Sequence, residues 1–114
     1  MVGLITVSDR AFEGKYEKGD LSGQAMHDCC NSFSNHFEIK TAVVVPDEKG
    51  KIQEAIKGMV SQCNVIFTSG GTGFTERDIT PEATAELLTR RADSLSMYLN
   101  FEAMKIVASA CLSR

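Results

Sequence analysis

The run Val2-Gly3-Leu4-Ile5-Thr6-Val7, stopped at once by Ser8-Asp9, constrains this chain more than any other segment. It is too short to span a membrane and apolar on both of its alternating faces. A strand of that kind is buried on two sides, as parallel strands are when helices cover a sheet. Two more strands are expected. Phe37–Lys40 alternates and Thr41–Val45 runs apolar until Pro46-Asp47 stops it, and Asn64–Thr68 is centred on Val65-Ile66-Phe67.

Helical spacing fills the gaps. Behind Ser22, which suits a helix cap, Ala25, Met26, Cys29, Cys30 and Phe33 share one face. Behind Asp47, a second cap candidate, Ile52, Ala55, Ile56, Met59, Val60 and Cys63 recur with the clearest helical period in the chain. Thr80-Pro81 opens another helix, with Thr80 as its cap and Ala83, Leu87 and Leu88 facing inward. A last helix starts near Ser94 and carries Leu95, Leu99, Met104 and Val107. Arg10–Gly23 is polar, holds three glycines and reads as a long loop. The order β-α-β-α-β-α-α predicts a three-layer αβα architecture with a mostly parallel sheet and right-handed crossovers. The 114 residues fit a single domain, 1–114.

Charge and cysteine content narrow the function. The formal charge of −3 lacks the basic stripe that nucleic acid or an anionic membrane requires, so neither is an expected partner. Cys29, Cys30, Cys63 and Cys111 form no CxxC pair and sit at no zinc-ligand spacing, and they read as small buried hydrophobes in a reducing compartment. Cytoplasm is the expected location.

Ligands of open parallel sheets bind beyond the carboxyl ends of the strands. Strand one ends at Ser8-Asp9, strand two at Asp47, and strand three at Ser69-Gly70-Gly71-Thr72-Gly73, five residues ahead of Asp78. Glycines there let backbone N–H groups press against an anion, with Thr72 adding a hydroxyl. A tight turn without a ligand satisfies the same residues. The loop is no P-loop, because Gly-Lys-Ser/Thr is missing, and no dinucleotide fingerprint, because GxGxxG is missing. Carboxylates beside a phosphate site repel it unless a cation bridges them, and Mg²⁺ is commonly held by one or two carboxylates plus substrate phosphates. Asp47 and Asp78 are the candidates. Each also has a local role open to it, Asp47 as a helix cap and Asp78 as a loop residue pairing with Arg77 or with a backbone N–H. Ser8, Ser22 and Ser69 have no matching His, so covalent acyl transfer is not expected.

The segment Thr68–Thr84 (TSGGTGFTERDITPEAT) resembles the signature of the molybdenum-cofactor biosynthesis domain, the family of the molybdopterin adenylyltransferases: Mog-type proteins and the G domains of plant Cnx proteins and of gephyrin. Leu4–Asp9, Asp20–Gly23, Val45–Glu48 and Leu112-Ser113-Arg114 agree with it in order and spacing, so the resemblance covers essentially the whole chain. It implies a molybdopterin-binding-like fold. The implied activity is Mg²⁺-dependent: molybdopterin and ATP become adenylyl-molybdopterin and pyrophosphate. By position, Asp47 and Asp78 match the two aspartates of the family's active site and are the expected catalytic and metal-holding carboxylates, Asp78 as Mg²⁺ ligand or positioning group and Asp47 as the second carboxylate on the metal side. Ser69, Gly70, Gly71, Thr72 and Gly73 match the loop on the nucleotide and pterin phosphates. Thr6, Ser8, Asp9, Asp20 and Ser22 match the pocket wall, and Ser113 and Arg114 a substrate-binding turn. The family also implies a cytosolic homotrimer and a molybdate-insertion domain or protein as partner. Its domain continues past Leu-Ser-Arg through a strand, a Pro-Gly loop and a helix, so the expected fold is the family's without that C-terminal strand and helix. The alternative function is then a catalytically impaired molybdopterin-binding or trimerising scaffold module.

Overall fold

The computed structural model describes residues 1–33 and 35–114. Its centre is β1, Val2–Val7, buried at all six positions. β2, Ile39–Val45, and β3, Val65–Ser69, pair with it on either side, both parallel, in the order β2-β1-β3. Gly3 faces Thr41 and Ile66 across the sheet, and Thr6 faces Val44 and Ser69. A central strand flanked on both edges and covered on both faces has no use for polar alternation, which is why its sequence is apolar apart from Thr6 near its carboxyl end.

The pleat divides β1 between two cores. Val2 and Leu4 pack with Cys30 of α2, Leu21–Ser32, while Ile5 and Val7 pack with Ile52, Ile56 and Met59 of α3, Lys49–Val60, and with Ala83 of α4, Thr80–Ala85. Helices on both faces make the three layers. Gly3 lies where α3 crosses most closely: a Cβ there would stand 2.6 Å from the Met59 sulfur. α5, Asp93–Met104, and a 3₁₀ turn at Ala108–Leu112 complete the chain. No helix among the described residues is long and apolar enough to cross a membrane.

Several local expectations are revised. The stretch read as one long loop contains a short helix, α1, Asp9–Phe12, because Ser8 caps it, its Oγ accepting from the Ala11 N–H at 3.2 Å. α2 is capped by Asp20, whose Oδ1 accepts from the Gly23 N–H at 2.9 Å, and Ser22 lies inside the first turn. Glu48, not Asp47, precedes α3, and it makes no side-chain cap. Ile79 precedes α4, while Thr80 is its first residue. The inward face of α2 is narrower than its pattern: Met26 and Cys30 reach the core, but Ala25, Cys29 and Phe33 are exposed. Of the cysteines, Cys30 is buried and Cys63 partly so, whereas Cys29 and Cys111 are exposed, and all four are free thiols. Leu88 is exposed, and so are Leu95, Leu99, Met104 and Val107 on and after α5.

Candidate functional site

A cavity of about 460 Å³ opens at the carboxyl ends of the three strands. Strand geometry carries most of its wall. β1 supplies Thr6 and then Ser8 and Asp9; β2 hands over to Asp47; β3 ends on Ser69, Gly70 and Gly71; Asp20 and Ser22 come from the start of α2, and Asp78 from the loop before α4. Those are all residues expected from the sequence. Thr72, Gly73, Ser113 and Arg114 do not line this cavity; Thr72 and Arg114 line a separate hollow with Thr80 and Thr84. Arg10, Tyr16, Gly19, Leu21 and Arg77 also line the cavity, and sequence reasoning does not single them out as site residues. The signal for Arg10, Tyr16 and Gly19 is present in the polar stretch after β1, whose length exceeds what a plain connection needs.

Gly70 and Gly71 make the loop possible. Both have positive φ, +94° and +64°. A Cβ at Gly70 would stand 2.1 Å from the Val7 carbonyl oxygen, and one at Gly71 would stand 2.3 Å from the Thr80 hydroxyl and 3.1 Å from Asp47 Oδ1. The turn is closed by the Thr80 N–H donating to Gly71 O at 3.0 Å and by the Thr80 hydroxyl donating to Gly70 O at 2.8 Å. Thr80 therefore ties the glycine loop to α4 instead of capping that helix.

Asp9 and Asp47 clasp each other through backbone amides. Asp9 N–H donates to Asp47 Oδ2 at 2.9 Å, and Asp47 N–H donates to Asp9 Oδ1 at 2.8 Å. This exchange explains why Asp47 does not cap α3: its carboxylate is turned back across the strand ends. Asp78 is held differently. Its Oδ2 accepts from both the N–H and the hydroxyl of Thr75, at 2.9 and 2.7 Å. Of the two local partners open to Asp78, the backbone N–H is the one it takes, from Thr75, while the Arg77 guanidinium lies 4.0 Å from Asp9 Oδ2.

Among the described residues, no group hydrogen-bonds Asp47 Oδ1 or Asp78 Oδ1. Nor does any cluster of three or more His, Cys, Asp or Glu side chains enclose a metal ion there. A donor set of two carboxylates, each with one oxygen to spare, in a cavity floored by glycine backbone, fits Mg²⁺ carried in on phosphates better than a cation caged by protein alone.

Three carboxyls around α4 are more acidic than usual. The Thr75 hydroxyl, then the Thr75 N–H, holds Asp78 below its ordinary value of 3.8, with Arg77 and Arg114 assisting. Its own backbone N–H, then Arg114, lowers Glu82, and Lys49, then Gln53, lowers Glu86. A carboxyl depressed on folding stabilises the native state above its unfolded pKa, and that contribution is lost as pH falls through the folded value. Urea midpoints measured from about pH 6 to about pH 2.5 are therefore expected to fall mainly below about pH 4, and less steeply in a chain with Asp78→Asn, Glu82→Gln and Glu86→Gln. Equal slopes in the two chains would mean these bonds persist in the unfolded chain or are absent from the folded one.

Residues 3–114 match the sequence profile of a family described as a probable molybdopterin binding domain. The molybdenum cofactor synthesis protein cinnamon of Drosophila melanogaster is 40% identical over 115 residues, a match covering 98% of this chain and 18% of that protein. The molybdopterin adenylyltransferase of Helicobacter pylori strain J99 is 36% identical over 120 residues, covering 99% of this chain and 64% of the enzyme. Among solved structures, the molybdopterin biosynthesis enzyme MoaB of Thermus thermophilus superposes with a TM-score of 0.87 at 34% identity, covering 99% of this chain and 70% of that one. The chain spans less than two thirds of the length of these curated relatives.

Proposed function

This chain belongs to the molybdopterin-binding domain family, and on that premise we propose that it is a molybdopterin adenylyltransferase. A phosphate oxygen of molybdopterin forms a bond to the α-phosphorus of ATP, the bond to the β-phosphate oxygen breaks, and pyrophosphate leaves. One observation carries the reading: Asp47 and Asp78, each with one uncommitted carboxylate oxygen, line the same cavity as the Gly70-Gly71 turn. The naming of relatives as adenylyltransferases supports it.

The chain's residues have separable tasks. The glycine loop admits phosphate oxygens close to the backbone, where a side chain would exclude them. Asp47 and Asp78 would hold Mg²⁺ from the protein side, where its charge would offset the phosphate charge that repels an incoming anion. Arg10 and Arg77 add positive charge along the triphosphate. Ser8, Ser69, Asp20 and Ser22 complete the polar wall. Nucleotidyl transfer asks mainly for positioning and charge neutralisation, so the absence of a nucleophile–His pair from this wall is in keeping with it. The reading places the reaction in the cytoplasm, in a homotrimer, with the product passing to a molybdate-insertion domain or protein.

A second reading, a molybdopterin-binding module that assembles with copies of itself, is favoured by the exposure of Val65 and Phe67 on β3 and of Leu95, Met97, Tyr98, Leu99 and Phe101 on α5. Exposed large apolar side chains on an edge strand and on a helix suit association. The discriminating experiment incubates the purified chain with molybdopterin, ATP and Mg²⁺ and follows adenylyl-molybdopterin and pyrophosphate together. Equimolar product and pyrophosphate, abolished by chelating Mg²⁺, is the expected result. A folded chain that binds molybdopterin yet releases no pyrophosphate leaves the second reading standing and removes the first.

A further inference from the structure

Arg114 spends its donors on one loop and on the helix that follows it. Its backbone N–H donates to Thr72 O at 3.1 Å, Nε to Gly73 O at 2.8 Å, Nη2 to Asp78 O at 2.7 Å and Nη1 to Glu82 Oε1 at 2.5 Å. The guanidinium also lies over the Phe74 ring, 5.4 Å from its centroid. Arg114 does not line the cavity that Asp78 lines. We propose that Arg114 is a positioning residue: a fork that clamps the Thr72–Asp78 loop to the start of α4 and so sets where the Asp78 carboxylate stands. The proposal rests on the adenylyltransferase reading for its consequence in turnover, but not for the clamp itself.

The need for a clamp follows from what else holds the loop. Its base is tied at Gly70, Gly71 and Thr80. Beyond the base, the bonds within Thr72–Asp78 are local ones between Thr75 and Asp78; besides Arg114, the loop is reached from afar by the Ser113 hydroxyl, which donates to the Thr72 hydroxyl at 3.3 Å at its near end, and by the contact of Arg77 with Asp9 at 4.0 Å across the cavity. Local bonds fix the shape of a turn without fixing where the turn sits. Ser113 reaches only the near end at Thr72, and Arg114 supplies the reference further along, from 41 residues away at Gly73 and 36 residues away at Asp78. Asp78 is thus held at both ends, its carbonyl by Arg114 and its carboxylate by Thr75. A planar guanidinium satisfies two carbonyls and a carboxylate at once; an ammonium on a flexible stem does not reproduce that fork. The Glu82 pair contributes through geometry more than through charge, because both side chains are partly open to water.

Amide hydrogen exchange tests the clamp. In Arg114→Ala, exchange at the Thr75 and Asp78 amides is expected to rise about tenfold or more, with β1 amides unchanged. Arg114→Lys, which keeps the charge and most of the stem, is expected to fall between the two chains, and Glu82→Gln to change exchange by less than about threefold, since Nε and Nη2 keep their acceptors. In turnover, Arg114→Ala is expected to raise the Mg²⁺ concentration for half-maximal rate at least about fivefold, while KM for molybdopterin at saturating Mg²⁺ moves less than about twofold. Unchanged exchange at Thr75 and Asp78 overturns the proposal, as does a rise in KM with no change in Mg²⁺ dependence, which would make Arg114 a substrate contact. A wild-type chain that yields no product removes the adenylyltransferase reading, and the exchange rates then decide the clamp alone.

Discussion

Asp78→Asn is expected to lower the rate of adenylyl-molybdopterin formation at least about 100-fold, which corresponds to roughly 2.7 kcal/mol of lost transition-state stabilisation, with little change in melting temperature. The asymmetry comes from how Asp78 is held. Oδ2 accepts from the N–H and the hydroxyl of Thr75, and an amide oxygen can accept both. The amide NH₂ then falls where Oδ1 stood, the oxygen that no described residue uses. A donor at that place repels a cation and cannot ligate it. The fold keeps its hydrogen bonds and the site loses half of its carboxylate pair. Thr75→Val is the companion change. It removes one of the two donors to Oδ2 and leaves the carboxylate, so a smaller loss, on the order of tenfold, is expected. The two substitutions together should cost less than their product, because they act on one bonded unit. An Asp78→Asn chain within tenfold of the wild type would detach Asp78 from the metal and return it to a turn-forming residue.

Most of the layer order was legible in the sequence, and the reason lies in β1 and α3. Val2–Val7 is covered on both faces and paired on both edges, so its pattern reports its environment with nothing competing. Ile52, Ile56 and Met59 are buried where the helical period put them. Caps were less legible because good capping residues lie close together. Asp20 and Ser22 are both competent, and the choice fell to the one whose carboxylate meets the Gly23 N–H. Asp47 could have capped α3, but its carboxylate is committed to Asp9, a residue 38 positions away. Periodicity also states which side chains share a face and not whether anything covers that face. Leu95 and Leu99 share the pattern of a core helix and are each more than half exposed. In the site, the strand ends were predictable from topology: Asp9, Asp47 and Ser69 line one cavity because three parallel strands end together. The place of Arg114 was not, since nothing local in Leu112-Ser113-Arg114 indicates a bond to Gly73.

Gly70→Ala is expected to destabilise the chain by on the order of 3 kcal/mol, lowering Tm by about 12 °C or more, and to remove phosphate binding with it. Two separable penalties act at this position. The backbone has φ of +94°, a conformation that costs an L side chain about 1–2 kcal/mol. The new Cβ would also meet the Val7 carbonyl oxygen at 2.1 Å. That oxygen cannot yield cheaply, because Val7 is buried in the central strand and its partner across the sheet is Val45. The turn must move instead, and the bonds from Thr80 to Gly70 and Gly71 move with it. Gly14→Ala separates the two penalties. Gly14 has φ of +68° and nothing within 4 Å of where a Cβ would stand, so it should show the backbone cost alone, about 1 kcal/mol. Chemical denaturation of both variants gives the difference, which measures how tightly the glycine loop is pressed against the end of β1. If Gly70→Ala proves no less stable than Gly14→Ala, the loop is free to lift away from Val7, and the floor of the cavity is set by its ligand instead of by the fold.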